Sequence, residues 1–395
     1  MKSKHVIVAL LPMLLAYFVM GFMDVVGIAT SYVRADFAGR MADEYFGFLS
    51  SVFFLWFLVL SIPTAMLMNR IGRKNTVLLS MAFTLIGLML PFVFYSFAST
   101  LLGFALLGIG NTILQVGINP LISNVVQGGQ MTSTLTWGQF FRAVCSLSGP
   151  FIAGLAAKWF GSWRGVFLVY GIVTVLTAVW LAATPVEREN RQTVSSFRAA
   201  FSLLGDRSVR WLFFSMMAFL AMDIGINTEA PRLLMERLGL DAALTSSVNR
   251  TNHAAMPYFA CRMAGAVAGA FILARVDALK YFRVNVLVML GAVCGLTLVT
   301  SEIAVLTLVG VIGLCMSSLF PVILSLAMQA VPTRANEVSG LMITAICGGA
   351  VISPVMFYAV KFGGSELCAV ATLALVALFL NLSATRLRKT KQAQS

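Results

Sequence analysis

Residues 22–31 read FMDVVGIATS, and 199 residues further on residues 221–230 read AMDIGINTEA, each an apolar run with one aspartate inside it, Asp24 and Asp223. Two more pairs keep nearly the same offset. INPLIS around Pro120 answers LFPVIL around Pro321, 201 residues on, and SGPFIAG around Pro150 answers ISPVMFY around Pro354, 204 residues on. Each match alone is weak. The shared offset, close to half of the 395-residue chain, points to two parallel repeats.

What the repeats are made of follows from composition. The chain is 59% hydrophobic and 11% charged, with a mean hydropathy of +0.91, which places it in a membrane. At about 20 apolar residues per crossing, spans are expected near 6–31, 46–68, 75–95, 99–125, 132–157, 164–184, 210–233, 252–274, 284–300, 303–329, 338–361 and 367–386. The expected fold is an all-α membrane protein of twelve transmembrane helices in two pseudo-symmetric six-helix bundles. Residues 1–186 form the first bundle, 187–209 a polar connector and 210–395 the second bundle. The start, MKSKHVIVALLPMLLAYFVM, has the basic-then-apolar order of a secretory signal. Its apolar run is too long and lacks a small-residue cleavage site, so it reads as the first span.

Lysine and arginine set the orientation. Lys2, Lys4, the Arg70/Arg73/Lys74 turn, the connector, Arg275/Lys280/Arg283 and the Arg386–Lys391 tail all fall on one side, predicting cytoplasmic termini in a bacterial inner membrane. The net charge of +13 belongs to this bias and to anionic lipid, not to nucleic-acid binding. The six cysteines, Cys145, Cys261, Cys294, Cys315, Cys347 and Cys368, lie in apolar segments without CxxC spacing and read as packing residues. His5 and His253 form no metal or nucleophile set, Gly108-Ile-Gly110 lacks a nucleotide fingerprint, and there is no Walker sequence. The chain is read as a non-enzyme without cofactor or metal. The Asn249-Arg-Thr251 sequon carries no weight, since one such triplet arises readily by chance.

Polar residues at membrane depth mark the working parts. Asn111, Gln115, Asn119 and Ser123 recur every four residues along the fourth span, in one stripe. Lipid cannot satisfy amides, so the stripe faces protein or a wet cavity, as interhelical glue or as cavity lining. The fifth span adds Trp137, Gln139 and Arg142. An arginine at a helix centre costs about 2.5–3.5 kcal/mol on insertion scales, so Arg142 requires a partner or water. Arg262 of the eighth span is the other deep arginine, and Asp24 and Asp223 are the deepest acids, with Glu229 nearer the outer end. Asn227, one turn past Asp223, and Tyr258, one turn before Arg262, complete the substrate-binding candidates. In parallel-repeat transporters the site lies near the midplane between the halves, which rock about it.

The turn after the second span, AMLMNRIGRKN, resembles the G-x-x-x-D-R-x-G-R-[RK] signature of the major facilitator superfamily. Arg70, Gly72, Arg73 and Lys74 match, while Ala65 and Asn69 replace the usual glycine and aspartate. Within the superfamily, MSSLFPVILSLAM and ITAICGGAVISPVM, with INP at 118–120, Gln139 and Arg262, resemble the fucose–galactose–glucose proton symporter group. The resemblance implies proton-coupled transport by alternating access. It assigns Asp24 to proton coupling; Asp223, its repeat mate, is the second proton-coupling candidate, and Arg70, Gly72, Arg73 and Arg262 are read as gating or structural. Where that group has a fourth-helix glutamate this chain has Gln115, which cannot ionise, and where it has a fifth-helix asparagine this chain has Arg142. The leading reading is a monomeric transporter of a small polar solute, a sugar or sugar derivative, with protons and the lipid bilayer as its other partners. An anionic cargo held by Arg142, a multidrug-type efflux pump and a membrane sensor stand as alternatives.

Overall fold

The structure, a computed structural model of the chain, describes residues 2–22, 26, 29–30, 32–33, 36–37, 44–186, 196–239, 256–349 and 351–394. Asp24, Asn249, His253 and the first half of the connector lie outside the described residues. Among those described, the regular elements are helices: α1 (Lys2–Met20), α2 (Glu44–Ile71), α3 (Arg73–Val93), α4 (Phe97–Ser123), α5 (Gly128–Phe160), α6 (Gly165–Ala183), a short α7 (Phe197–Ser202), α8 (Arg207–Arg237), α9 (Met256–Leu273), α10 (Ala278–Leu298), α11 (Glu302–Met316), α12 (Leu319–Ala330), α13 (Ala335–Gly349), α14 (Ile352–Gly363) and α15 (Leu367–Gln394).

Nine stretches of the described residues are long and apolar enough to cross a bilayer. Shorter apolar stretches in α1 and α2, together with α5, bring the number to the twelve crossings expected. The tenth crossing departs from the expected single span 303–329: it is broken at Ser317–Ser318 into α11 and α12. Pro321 falls just past the break. A proline inside a continuous helix would leave the carbonyl four residues earlier unpaired, whereas in the first turn of α12 its missing N–H is not needed. Pro354 likewise falls in the first turn of α14. The repeat mate of Pro321, Pro120, sits in the last turn of α4, and α5 runs unbroken through position 150.

The chain packs into two compact units: Met1–Gln127, Trp137–Phe201 and Thr333–Thr344 in one, Gly128–Thr136, Ser202–Pro332 and Ala345–Ser395 in the other. Each unit thus takes in the N-terminal stretch of a helix from the opposite repeat, α5 in one case and α13 in the other. Hydrogen bonds fix both. In the first unit Ser339 Oγ donates to the Val116 carbonyl at 2.7 Å and Arg334 Nη2 to the Ala199 carbonyl at 2.6 Å. In the second, Ser133 Oγ donates to the Ala270 carbonyl at 2.7 Å, and the Thr132 and Ser325 hydroxyls meet at 2.5 Å.

Lipid supplies no hydrophobic drive between helices, so small residues and hydrogen bonds hold them. A Cβ on Gly87 of α3 would come within 2.8 Å of the Gly103 carbonyl of α4, which shows how closely the two backbones approach. At the end of the first unit remote from the signature turn, Asp36 accepts from Tyr95 Oη at 2.6 Å and Trp163 Nε1 at 2.9 Å. Burial, with the Asp36 carboxylate beside it, pushes the Tyr95 hydroxyl well above its ordinary pKa and keeps it a donor.

Candidate functional site

The first unit carries the amide stripe of α4, and it is buried. Asn111, Gln115 and Asn119 are 5%, 4% and 1% exposed. Asn119 is fully engaged: its Oδ1 accepts from Tyr17 Oη at 2.6 Å, and its Nδ2 donates to the Gln115 carbonyl at 2.5 Å. Asn111 Nδ2 donates to the Met20 carbonyl at 2.8 Å, tying the end of α1 to α4. Asn111 Oδ1, Gln115 Oε1 and Gln139 Nε2, all buried, have no hydrogen-bond partner among the described residues. Two acceptors and a donor therefore stand ready in one unit. Trp137 packs edge-on against Phe140, with ring centroids 5.8 Å apart. The Arg142 backbone lies beside α1, since a Cβ on Gly21 would come within 2.8 Å of its carbonyl oxygen.

The signature turn forms a second polar centre in the same unit. Gly72 links α2 and α3 at φ 86°, in the left-handed region that a side chain would strain. That turn sends Arg73 inward, 5% exposed, while Arg70 is exposed. Arg73 Nε donates to Asn336 Oδ1 at 2.8 Å. Its Nη1 donates to the Pro120 carbonyl at 2.9 Å, to Ser123 Oγ at 3.2 Å and to Asn124 Oδ1. Asn336 Nδ2 in turn donates to Asn69 Oδ1 at 2.6 Å. Asn69 stands where the superfamily signature has aspartate, and it still reaches α13 through an amide pair. Lys74 Nζ caps the end of α6, donating to the Ala182 and Thr184 carbonyls, each at 2.8 Å.

The second unit holds one deep acid and one deep arginine. Arg262 Nη1 on α9 lies 2.6 Å from Asp223 Oδ1 on α8. Tyr258 Oη donates to the same oxygen, and Asn227 Nδ2 reaches the Asp223 carbonyl at 2.7 Å. The guanidinium also sits 5.7 Å from the Tyr258 ring and 6.0 Å from that of Phe219. Asn227 Oδ1 is buried without a hydrogen-bond partner among the described residues. Four residues singled out from sequence, Asp223, Asn227, Tyr258 and Arg262, thus form one cluster. Tyr17 and Asn336 escaped the sequence reading. Tyr17 looked like one more aromatic in an apolar run, and Asn336 follows a turn with no motif of its own.

Comparison with known proteins agrees with this architecture. The sequence profile of the Major Facilitator Superfamily matches residues 13–354. A glucose/galactose transporter of Brucella abortus biovar 1 (strain 9-941) is 24% identical over 315 residues, covering 76% of this chain and 75% of that protein. An uncharacterised transporter of Bacillus subtilis (strain 168), YycB, is 32% identical over 161 residues, 40% of this chain and 38% of that one. Among solved structures, the Escherichia coli fucose:proton symporter FucP superposes with a TM-score of 0.83 at 15% identity, over 97% of this chain and 99% of its own. The proton:xylose symporter XylE, bound to 6-bromo-6-deoxy-D-glucose, gives 0.74 at 14% identity over 96% of each chain. A profile match over most of the chain, a signature turn built around Arg73 and twelve crossings in two repeats lead to one conclusion: the chain belongs to the Major Facilitator Superfamily.

Proposed function

We propose that the protein is a proton-coupled symporter of a neutral sugar or close sugar derivative, working by alternating access in a bacterial inner membrane as a monomer with both termini in the cytoplasm. The observation that carries the reading is the set of buried amide atoms without a partner among the described residues, Asn111 Oδ1, Gln115 Oε1 and Gln139 Nε2. A buried amide left unpaired costs about 1–3 kcal/mol. A polyol cancels that cost, because each hydroxyl both donates and accepts. The glucose/galactose transporter and the two sugar symporters similar to this chain favour the same cargo class.

In this scheme Asp24 takes the proton. Gln115 cannot serve, and Asp223 already faces Arg262 and Tyr258. Asp223 and Arg262 act as a charge pair that must reform in each cycle. The positive-inside bias supports the orientation. The test is a thermal-shift and counterflow screen of neutral hexoses, pentoses, sugar acids and amino acids on the purified protein. The reading requires a neutral sugar to stabilise the protein and to exchange. A response to sugar acids or amino acids alone would refute it.

A further inference from the structure

The second unit carries a furrow on its surface that the transport scheme leaves unused. A groove of about 260 Å³ runs between Gly265, Ala268 and Ile272 of α9, Val284 and Asn285 of α10, and Leu314 of α11. A second, of about 400 Å³, continues past Cys261 of α9 and Gly310 of α11 and shares Leu314. Cys261, Gly265, Ala268 and Ile272 follow at helical spacing, so they share one face of α9. From Cys261 to Ile272 that face rises about 16 Å, close to one leaflet of a ~30 Å hydrocarbon core. Ile272, Val284 and Leu314 are exposed. In a chain that spans a membrane, such apolar surface meets lipid.

The furrow lies beside the break in the tenth crossing. A Cβ on Gly265 would come within 2.7 Å of both the Leu314 carbonyl oxygen and Ser317 Oγ, so the end of α11 closes onto α9 there. Ser317 Oγ donates to the Leu314 carbonyl at 2.7 Å where α11 stops. Ala268, small and exposed, leaves the surface hollow.

One end of the furrow is basic. Lys280 lines it, next to the turn from α9 to α10, with Tyr281 and Asn285 beside it. Arg275 and Arg283 stand close by in sequence. All three cations are exposed, and none makes an ion pair or side-chain hydrogen bond with another described residue. Asp277 Oδ1 instead caps α10, accepting from the Leu279 and Lys280 N–H groups at 3.0 and 3.1 Å. A second copy of the chain in the same membrane would set its own basic residues at this depth. An anionic headgroup supplies the missing charge.

We propose that the furrow binds one anionic glycerophospholipid, with its phosphate on Lys280 and one acyl chain laid along α9 from Ile272 towards Cys261, over Leu314. Bound there, the lipid fills the hollow beside the α11–α12 break and steadies it. By the proposed orientation the headgroup belongs to the inner leaflet. The site requires only that the chain be embedded in a bilayer, so it stands whether or not the sugar reading holds.

Native mass spectrometry of the purified full-length protein, carried in detergent with phosphatidylglycerol or with phosphatidylcholine of the same acyl chains, tests this. The wild type should retain one phosphatidylglycerol more firmly than phosphatidylcholine. Lys280→Gln should weaken that retention about fivefold, the effect of one lysine beside an anionic headgroup. Ala268→Phe, which fills the furrow from an exposed position, should abolish it. Arg388→Gln, the same charge change on exposed α15, should leave it intact. An equal loss in Arg388→Gln would reduce the effect to general attraction by a basic surface, and equal retention of the two lipids would remove headgroup recognition. Unchanged phosphatidylglycerol binding in both Lys280→Gln and Ala268→Phe, or a dimer in place of the lipid adduct, would overturn the site.

Discussion

Asp223 Oδ1 receives both Arg262 Nη1, at 2.6 Å, and the Tyr258 hydroxyl, so one carboxylate oxygen holds α8 and α9 together inside the second unit. The side chains are 18% and 27% exposed. Breaking a fully buried pair costs about 3–5 kcal/mol, and partial exposure lowers that to roughly 2 kcal/mol. Asp223→Asn and Arg262→Gln should each lower the thermal midpoint and reduce transport at least tenfold. The double variant should recover stability without recovering transport. Additive losses in the double-mutant cycle would show that the two charges do not act as a pair.

Asn336 is the next position to examine. Its truncation to alanine leaves Arg73 Nε and Asn69 Oδ1 without their partner. We expect Asn336→Ala to destabilise the protein by about 1–3 kcal/mol, read as a fall in thermal midpoint. Arg73→Lys should behave similarly, because a lysine cannot span Asn336, the Pro120 carbonyl and Asn124 with one fork. Unchanged midpoints in both variants would mean that the amide pair is not structural.

At Gln115 the expected loss is in affinity alone. Gln115→Ala should weaken sugar binding about tenfold, corresponding to about 1.4 kcal/mol, with the proton-to-sugar ratio unchanged. A changed ratio, measured from parallel sugar and proton fluxes, would place Gln115 in the coupling path.

Arg142 separates the neutral cargo from the acidic one. For a neutral sugar, Arg142→Gln should weaken a sugar and its corresponding sugar acid by the same factor. A loss confined to the acid, seen in competition counterflow, would transfer the site to an anionic substrate.

The fold was legible in sequence because it rests on two coarse signals, apolar length and a repeat offset near 200 residues, and both survive in the twelve crossings. The signature turn was legible too, since Gly72 and Arg73 have jobs only one residue type performs. The charge pairing was not. Sequence offered two deep acids and two deep arginines, and only the folded structure shows that Arg262 meets Asp223. Nor could periodicity reveal that Asn119 is engaged by Tyr17, or that the first turns of α5 and α13 pack with the opposite repeat. Those facts depend on contacts between residues 39 to 223 positions apart, which no local pattern encodes.

The proposed scheme gives the proton to Asp24, so Asp24→Asn should abolish accumulation driven by a pH gradient while sparing counterflow exchange. The most direct test of the whole account is proton flux in proteoliposomes containing the purified wild type, with sugar added outside and no imposed gradient. The account predicts external alkalinisation that begins with the sugar pulse, scales with sugar uptake and vanishes in Asp24→Asn. Sugar uptake with no proton movement, or proton movement undiminished in Asp24→Asn, would contradict it.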